Sequence, residues 1–139
     1  MASVDDPVIT FRRGLPGFQT YTRWRLFEEA PPFYVLEAAE APAVALPVAN
    51  PYAFYPDYAF ALPDDVKDRL GPWEAPEDAV VLAVVTVRSP KEASTINLRA
   101  PIVVNVRTRL GEQVVLEDVP YSTRMPLFPK RPEPAEGRG

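Results

Sequence analysis

Thr95–Leu116 reads TINLRAPIVVNVRTRLGEQVVL, the longest stretch of the chain whose residues alternate. Ile96, Leu98, Ala100, Ile102, Val104 and Val106 fall on one parity; Asn97, Arg99, Pro101, Asn105, Arg107 and Arg109 fall on the other. Successive side chains of an extended strand point to opposite faces. A period of two therefore predicts an apolar face turned to the core and a polar face turned to solvent. Gly111 breaks the pattern, and Gln113-Val114-Val115-Leu116 then reads as a return strand that completes a β-hairpin.

Working outward, Ala79–Val87 (AVVLAVVTV) is a continuous apolar run of strand length and is expected to be the most buried strand. Earlier strands are expected at Val8–Phe11, Thr22–Glu28, Phe33–Ala38 and Ala43–Val48. Pro47 argues that the last of these lies at a sheet edge or ends there, because proline donates no ladder hydrogen bond. Gly14-Leu15-Pro16-Gly17 offers a preset φ at proline and a positive φ at glycine, the needs of a type II turn, with Phe18 aimed at the core. Leu62–Pro72 is the one helical segment. Pro63, Asp64 and Asp65 suit its start, Arg69 its last turn, Gly71-Pro72 its stop, and Val66 and Leu70 its apolar stripe.

With 18 prolines among 139 residues, the chain must be built of short elements joined by turns. The expected fold class is all-β, mainly antiparallel, as a single domain with one short helix near residues 63–70. Its expected limits are a short lead at 1–6, the domain at 7–125, and a charged, proline-rich tail at 126–139 that reads as disordered.

The chain holds no cysteine and no histidine, which removes disulfides, thiolate chemistry, the commonest general base and the commonest metal ligand. Two carboxylates drawn from Asp57, Asp64, Asp65 and Asp68 are the remaining catalytic option, but nothing fixes a pair at a useful separation. Asp64, Asp65 and Asp68 resemble metal ligands on paper; at a helix start they equally answer the helix dipole. The expectation is no enzyme, no catalytic residue, no metal and no cofactor. No apolar run approaches the roughly 20 residues of a membrane span, and MASVDDPVITF lacks a signal pattern. A cytoplasmic protein is expected, with no membrane contact. A formal net charge of −4 disfavours direct nucleic-acid binding and suits either a basic protein partner or plain solubility.

Asn50–Phe60 (NPYAFYPDYAF) packs five aromatics into the nine residues 52–60. Two readings are open: core filling beneath a proline-shaped loop, or an exposed patch that anchors a partner. A stacking platform for single-stranded nucleic acid would need interleaved Lys and Arg, whereas Asp57 sits at the centre.

Taken together, these landmarks resemble the bacterial flagellar assembly factor FliW family. The matching pieces are Phe11 with Gly14-Leu15-Pro16-Gly17-Phe18, Pro32-Phe33-Tyr34, Asn50-Pro51, Phe54-Tyr55-Pro56-Asp57-Tyr58 and Leu62-Pro63. They continue with Val84–Val87, Asn97–Asn105, Gly111 with Gln113–Leu116, and Tyr121 with Arg124, in family order from about residue 8 to 125. The chain departs from the family at Asn50, where Asp is usual. It departs again at Ala43–Pro47, where a bulkier run is usual, and at Glu37-Ala38, where Gln-Ser is usual.

The resemblance implies a β-barrel-like domain and a binding protein. In the family it binds CsrA, a small RNA-binding translational repressor, and stops it from silencing flagellin mRNA. It also binds flagellin, so the two partners exchange. The contact residues it implies are Phe54, Tyr55, Asp57 and Tyr58, with Asn97, Arg99, Pro101 and Asn105 on the polar hairpin face. Against this, Asn97 and Asn105 are also residues that satisfy backbone groups, and Pro56 one that shapes a turn. The alternative function is a β-barrel nucleic-acid-binding module that uses Arg99, Arg107 and Arg109 on the same face.

Overall fold

The computed structural model describes residues 8–15 and 17–129. The lead expected at 1–6, the proline of the Gly14–Gly17 turn and tail residues 130–139 lie outside the described residues. Among the described residues, nine strands and one α-helix follow in order. They are β1 (Val8–Thr10), β2 (Arg23–Glu28), β3 (Phe33–Ala38), β4 (Ala41–Ala49), α1 (Asp64–Leu70), β5 (Ala79–Thr86), β6 (Thr95–Ile96), β7 (Ile102–Asn105), β8 (Leu110–Gln113) and β9 (Met125–Pro126). The sheet order is β4-β3-β2-β1-β8-β7-β5-β6-β9, and a further β4–β5 pairing closes seven of the strands into a ring. Every pairing is antiparallel except β1–β8, which is parallel and meets only at Thr10 and Leu110. The all-β class and the single short helix expected near residues 63–70 are what the structure has.

Trp24, Phe11, Leu36, Val48, Ile102 and Val104 fill the ring with almost no exposure. A second apolar cluster joins Tyr58, Val85, Ile96, Leu98 and Leu127. A third packs Val66 and Leu70 of α1 onto Val103, Val114 and Leu116. At the N-terminal turn, Phe18 N–H donates to Leu15 O at 2.7 Å. Gly17 has φ +87° there, as its position in the turn requires.

Four expectations are corrected. The Thr95–Val106 limb is not one strand: Asn97 Oδ1 accepts from the N–H groups of Arg99 (3.1 Å) and Ala100 (3.0 Å), and this turn separates β6 from β7. Gly111 is not the hairpin break; it lies inside β8 opposite Val104. The reversal occurs at 106–109, where Arg109 takes φ +61° and donates its N–H to Asn105 O at 2.8 Å. The most buried strand is β7 rather than β5, because α1 covers the outer face of β7 while β5 is exposed at both ends and only partly buried between. The fold also extends past residue 125, since Pro126 pairs with Thr95 and Leu127 is buried.

β4 runs through Pro42 and Pro47, and only its last residues, Val48 and Ala49, meet β5. Pro47 stands one residue before that contact, so on the β5 side it interrupts no ladder.

A candidate protein-binding face

Asn50 begins the aromatic loop by accepting Tyr52 N–H on its Oδ1 at 3.0 Å, which starts a 3-10 turn at Pro51–Ala53. The loop is then fastened to two other segments by tyrosine hydroxyls. Tyr58 donates to Leu98 O at 2.8 Å, and Tyr55 donates to Pro126 O at 2.6 Å. In return Ala59 N–H donates to the Tyr121 hydroxyl at 3.2 Å. Leu98 N–H and Arg99 N–H both donate to Ser122 O, so the segments around 55–59, 97–99 and 121–126 form one surface.

Aromatic rings fill the gaps between these segments. Tyr58 packs edge-on against Tyr121 at 4.8 Å and tilted against Phe60 and Tyr52 at 5.4 and 5.6 Å. Phe54 lies between Phe33 at 5.6 Å and Phe128 at 6.1 Å. Such offset and edge-on pairs add stabilisation beyond the area they bury. Burial pushes the Tyr58 hydroxyl above its ordinary ionisation range, with the Tyr52 and Tyr121 hydroxyls adding to the shift. Burial likewise raises Tyr52 and Tyr55. All three therefore remain neutral hydrogen-bonding groups at neutral pH.

The structure thus brings Phe54, Tyr55, Asp57, Tyr58, Asn97 and Arg99 into one region. Only Asp57 among them is exposed; Phe54, Tyr55, Asn97 and Arg99 are half-buried, and Tyr58 is buried. The Arg99 side chain makes no hydrogen bond or ion pair with the described residues. Pro101 and Asn105, expected on a solvent face, are buried instead. Asn105 Nδ2 donates to Leu70 O at 2.9 Å and Pro72 O at 3.1 Å, and its Oδ1 accepts Arg107 N–H at 2.9 Å. That side chain fastens the end of α1 to the β7–β8 turn and has no atom left for a partner. Val103 explains the misreading: an apolar residue on the nominally polar parity marks that face as covered.

Two residues of the surface lie outside the contact set expected from the sequence. Tyr52 is 39% exposed and Phe128 is 43% exposed. Lys91 Nζ lies 6.0 Å from the Phe128 ring centroid, within cation–π reach. Tyr52 stands among four other aromatics in residues 52–60, and Phe128 sits in a segment whose prolines read as tail. Among the described residues, no group of three or more acidic side chains converges as a metal site. No helix there is long and apolar enough to cross a membrane.

Known proteins share this arrangement of chain. The family model described as FliW protein matches residues 1–127. The flagellar assembly factor FliW of Bacillus licheniformis is 41% identical over 125 residues, covering 88% of this chain and 87% of the relative. That of an Exiguobacterium species is 45% identical over 121 residues, covering 86% and 82%. A crystal structure of the flagellar assembly factor FliW superposes with a TM-score of 0.83 at 33% identity, covering 90% of this chain and 88% of that one. A match over nearly the whole length, in sequence and in the path of the ring, leaves one assignment: the chain belongs to the FliW family of flagellar assembly factors.

Proposed function

We propose that this protein acts by binding rather than catalysis, as a cytoplasmic, chaperone-like regulator that exchanges two protein partners. One is the translational repressor CsrA, whose hold on flagellin mRNA it relieves; the other is flagellin. Free flagellin occupies the protein and leaves the repressor active. As flagellin is exported, the protein turns to the repressor.

The observation that carries this reading is the surface built by Tyr52, Phe54, Tyr55, Asp57, Arg99 and Phe128 on a family-matched chain. Its rings are fixed by hydrogen bonds and edge-on packing before any partner arrives. Preorganised aromatic groups lose little entropy on association, which makes them effective anchors. Asn97 supports the surface from below through its turn.

Charge supplies the antagonism. Asp64, Asp65, Asp68, Glu74, Glu77, Glu117 and Asp118 are exposed. Docked beside an RNA-binding protein, such a body repels phosphate over roughly 8 Å at physiological salt without filling the RNA groove. The test is isothermal titration of the protein with its own repressor and with its own flagellin, each alone. Asp57→Lys with Phe128→Ala is expected to weaken at least one of the two complexes tenfold or more while the variant stays folded at the temperature of the titration. Full affinity for both partners in that variant would move the binding surface elsewhere.

A further inference from the structure

β8 presents an open edge. Val114 N–H donates to Pro101 O at 2.9 Å, and Leu116 N–H donates to Arg99 O at 2.8 Å. Backbone groups of a strand alternate sides, so the N–H and C=O of Gln113 and Val115 point the other way. On that side β1 pairs only at Thr10 with Leu110, and no described residue continues the ladder. Phe11 still follows β2, its N–H donating to Thr22 O at 2.7 Å, and the chain then turns away, with Gly14 N–H donating to Phe11 O at 2.7 Å.

Beside the edge lies a groove of about 740 Å³, walled by Asp65 and Val66 of α1 on one side and by Val115, Glu117 and Asp118 on the other. Val115, two residues past the end of β8 where the extended chain runs on beside Pro101 and Arg99, is a branched aliphatic that is 65% exposed. A strand edge flanked by a helix is a geometry in which an extended peptide adds as a further strand. The charge of the groove sets the peptide's chemistry. Neither Glu117 nor Asp118 has an ion-pair partner among the described residues, and Asp65 is largely exposed in its contact with Arg69. Arg13, at the far end, is already paired with Glu112 at 3.4 Å.

We propose that this groove takes an extended, basic peptide segment of a partner protein, added to the open edge of β8 alongside Gln113 and Val115. The main-chain groups of those two residues supply the ladder. Glu117, Asp118 and Asp65 select positive side chains, and nucleic acid or an acidic peptide meets like charge at the same place.

The probe is a blocked heptapeptide of alternating Lys and Val, with its Glu–Val counterpart as control, titrated into the full chain. Readouts are affinity and amide hydrogen exchange at Gln113 and Val115. The basic peptide is expected to bind saturably and slow exchange at both amides, while the acidic one does neither. Val115→Pro removes an N–H that the fold does not use, and is expected to weaken binding about tenfold or more. Glu117→Gln with Asp118→Asn keeps the backbone donors and tolerates the φ of +57° at residue 118, and is expected to weaken binding while its exchange pattern stays native. No saturable binding would overturn the proposal. So would equal affinity in the Glu117→Gln/Asp118→Asn variant, or protection at Tyr52 and Phe128 instead of β8.

Discussion

The Tyr58 hydroxyl donates to Leu98 O at 2.8 Å, and Leu98 is fully buried. One bond therefore ties the aromatic loop to the segment between β6 and β7. Tyr58→Phe keeps the ring packing and removes that bond, leaving a buried carbonyl without its partner. A loss of about 1–2 kcal/mol of stability is expected. Urea denaturation at constant m-value measures it, with the far-ultraviolet circular dichroism of the native state unchanged.

The same hydroxyl makes stability fall at high pH. Tyr58 ionises above its ordinary value of 10.0 in the folded chain, because burial and the neighbouring Tyr52 and Tyr121 hydroxyls disfavour the phenolate. In the unfolded chain it ionises near that value. The contribution to stability is therefore fully present below pH 10 and declines above it, as the unfolded state releases its proton first. Thermal midpoints measured from pH 8 to 11 are expected to fall above pH 10, and less steeply in Tyr58→Phe.

Asn105 is 0% exposed and its amide spans α1, the segment after it and the β7–β8 turn. Asn105→Leu leaves the Leu70 and Pro72 carbonyls and the Arg107 N–H without that partner. The expected cost is roughly 2–4 kcal/mol. Partner affinity measured at low temperature, where the variant is folded, is expected to stay at the wild-type value, because the residue presents no surface.

Gly111 faces the ring interior. A Cβ there would sit 2.6 Å from Phe11 Cε2 and 2.8 Å from Cζ, and Phe11 is enclosed with 0% exposure. Gly111→Ala forces the ring or the strand to shift, at a cost of about 1–3 kcal/mol. Differential scanning calorimetry measures the drop, and Phe11→Leu in the same chain is expected to recover part of it.

These residues mark where sequence pattern alone was informative. β3 was legible to the residue, because Phe33–Ala38 is bounded by Pro32 and Ala39 and carries no breaker. α1 was legible from its acidic start and its Gly71-Pro72 stop. The hairpin was legible in composition but not in register. Its turn uses Asn105 and Arg109, neither of which announces a reversal as loudly as Gly111, whose real task is to make room for Phe11. Burial of Val103 and Asn105 depends on α1 crossing the outer face, a long-range contact that no local period encodes. The proposed binding surface was half legible: Phe54, Tyr55 and Asp57 were visible in the aromatic loop, whereas Phe128 joins them only through the β6–β9 pairing.

The central claim is that one protein serves two partners in exchange. It is tested most directly by fluorescence anisotropy of labelled flagellin mRNA bound to the organism's own repressor, with this protein and then flagellin added in turn. Addition of the protein is expected to release the RNA, and stoichiometric flagellin is expected to restore RNA binding. RNA that stays bound after addition of the protein, or release that flagellin fails to reverse, would contradict the account.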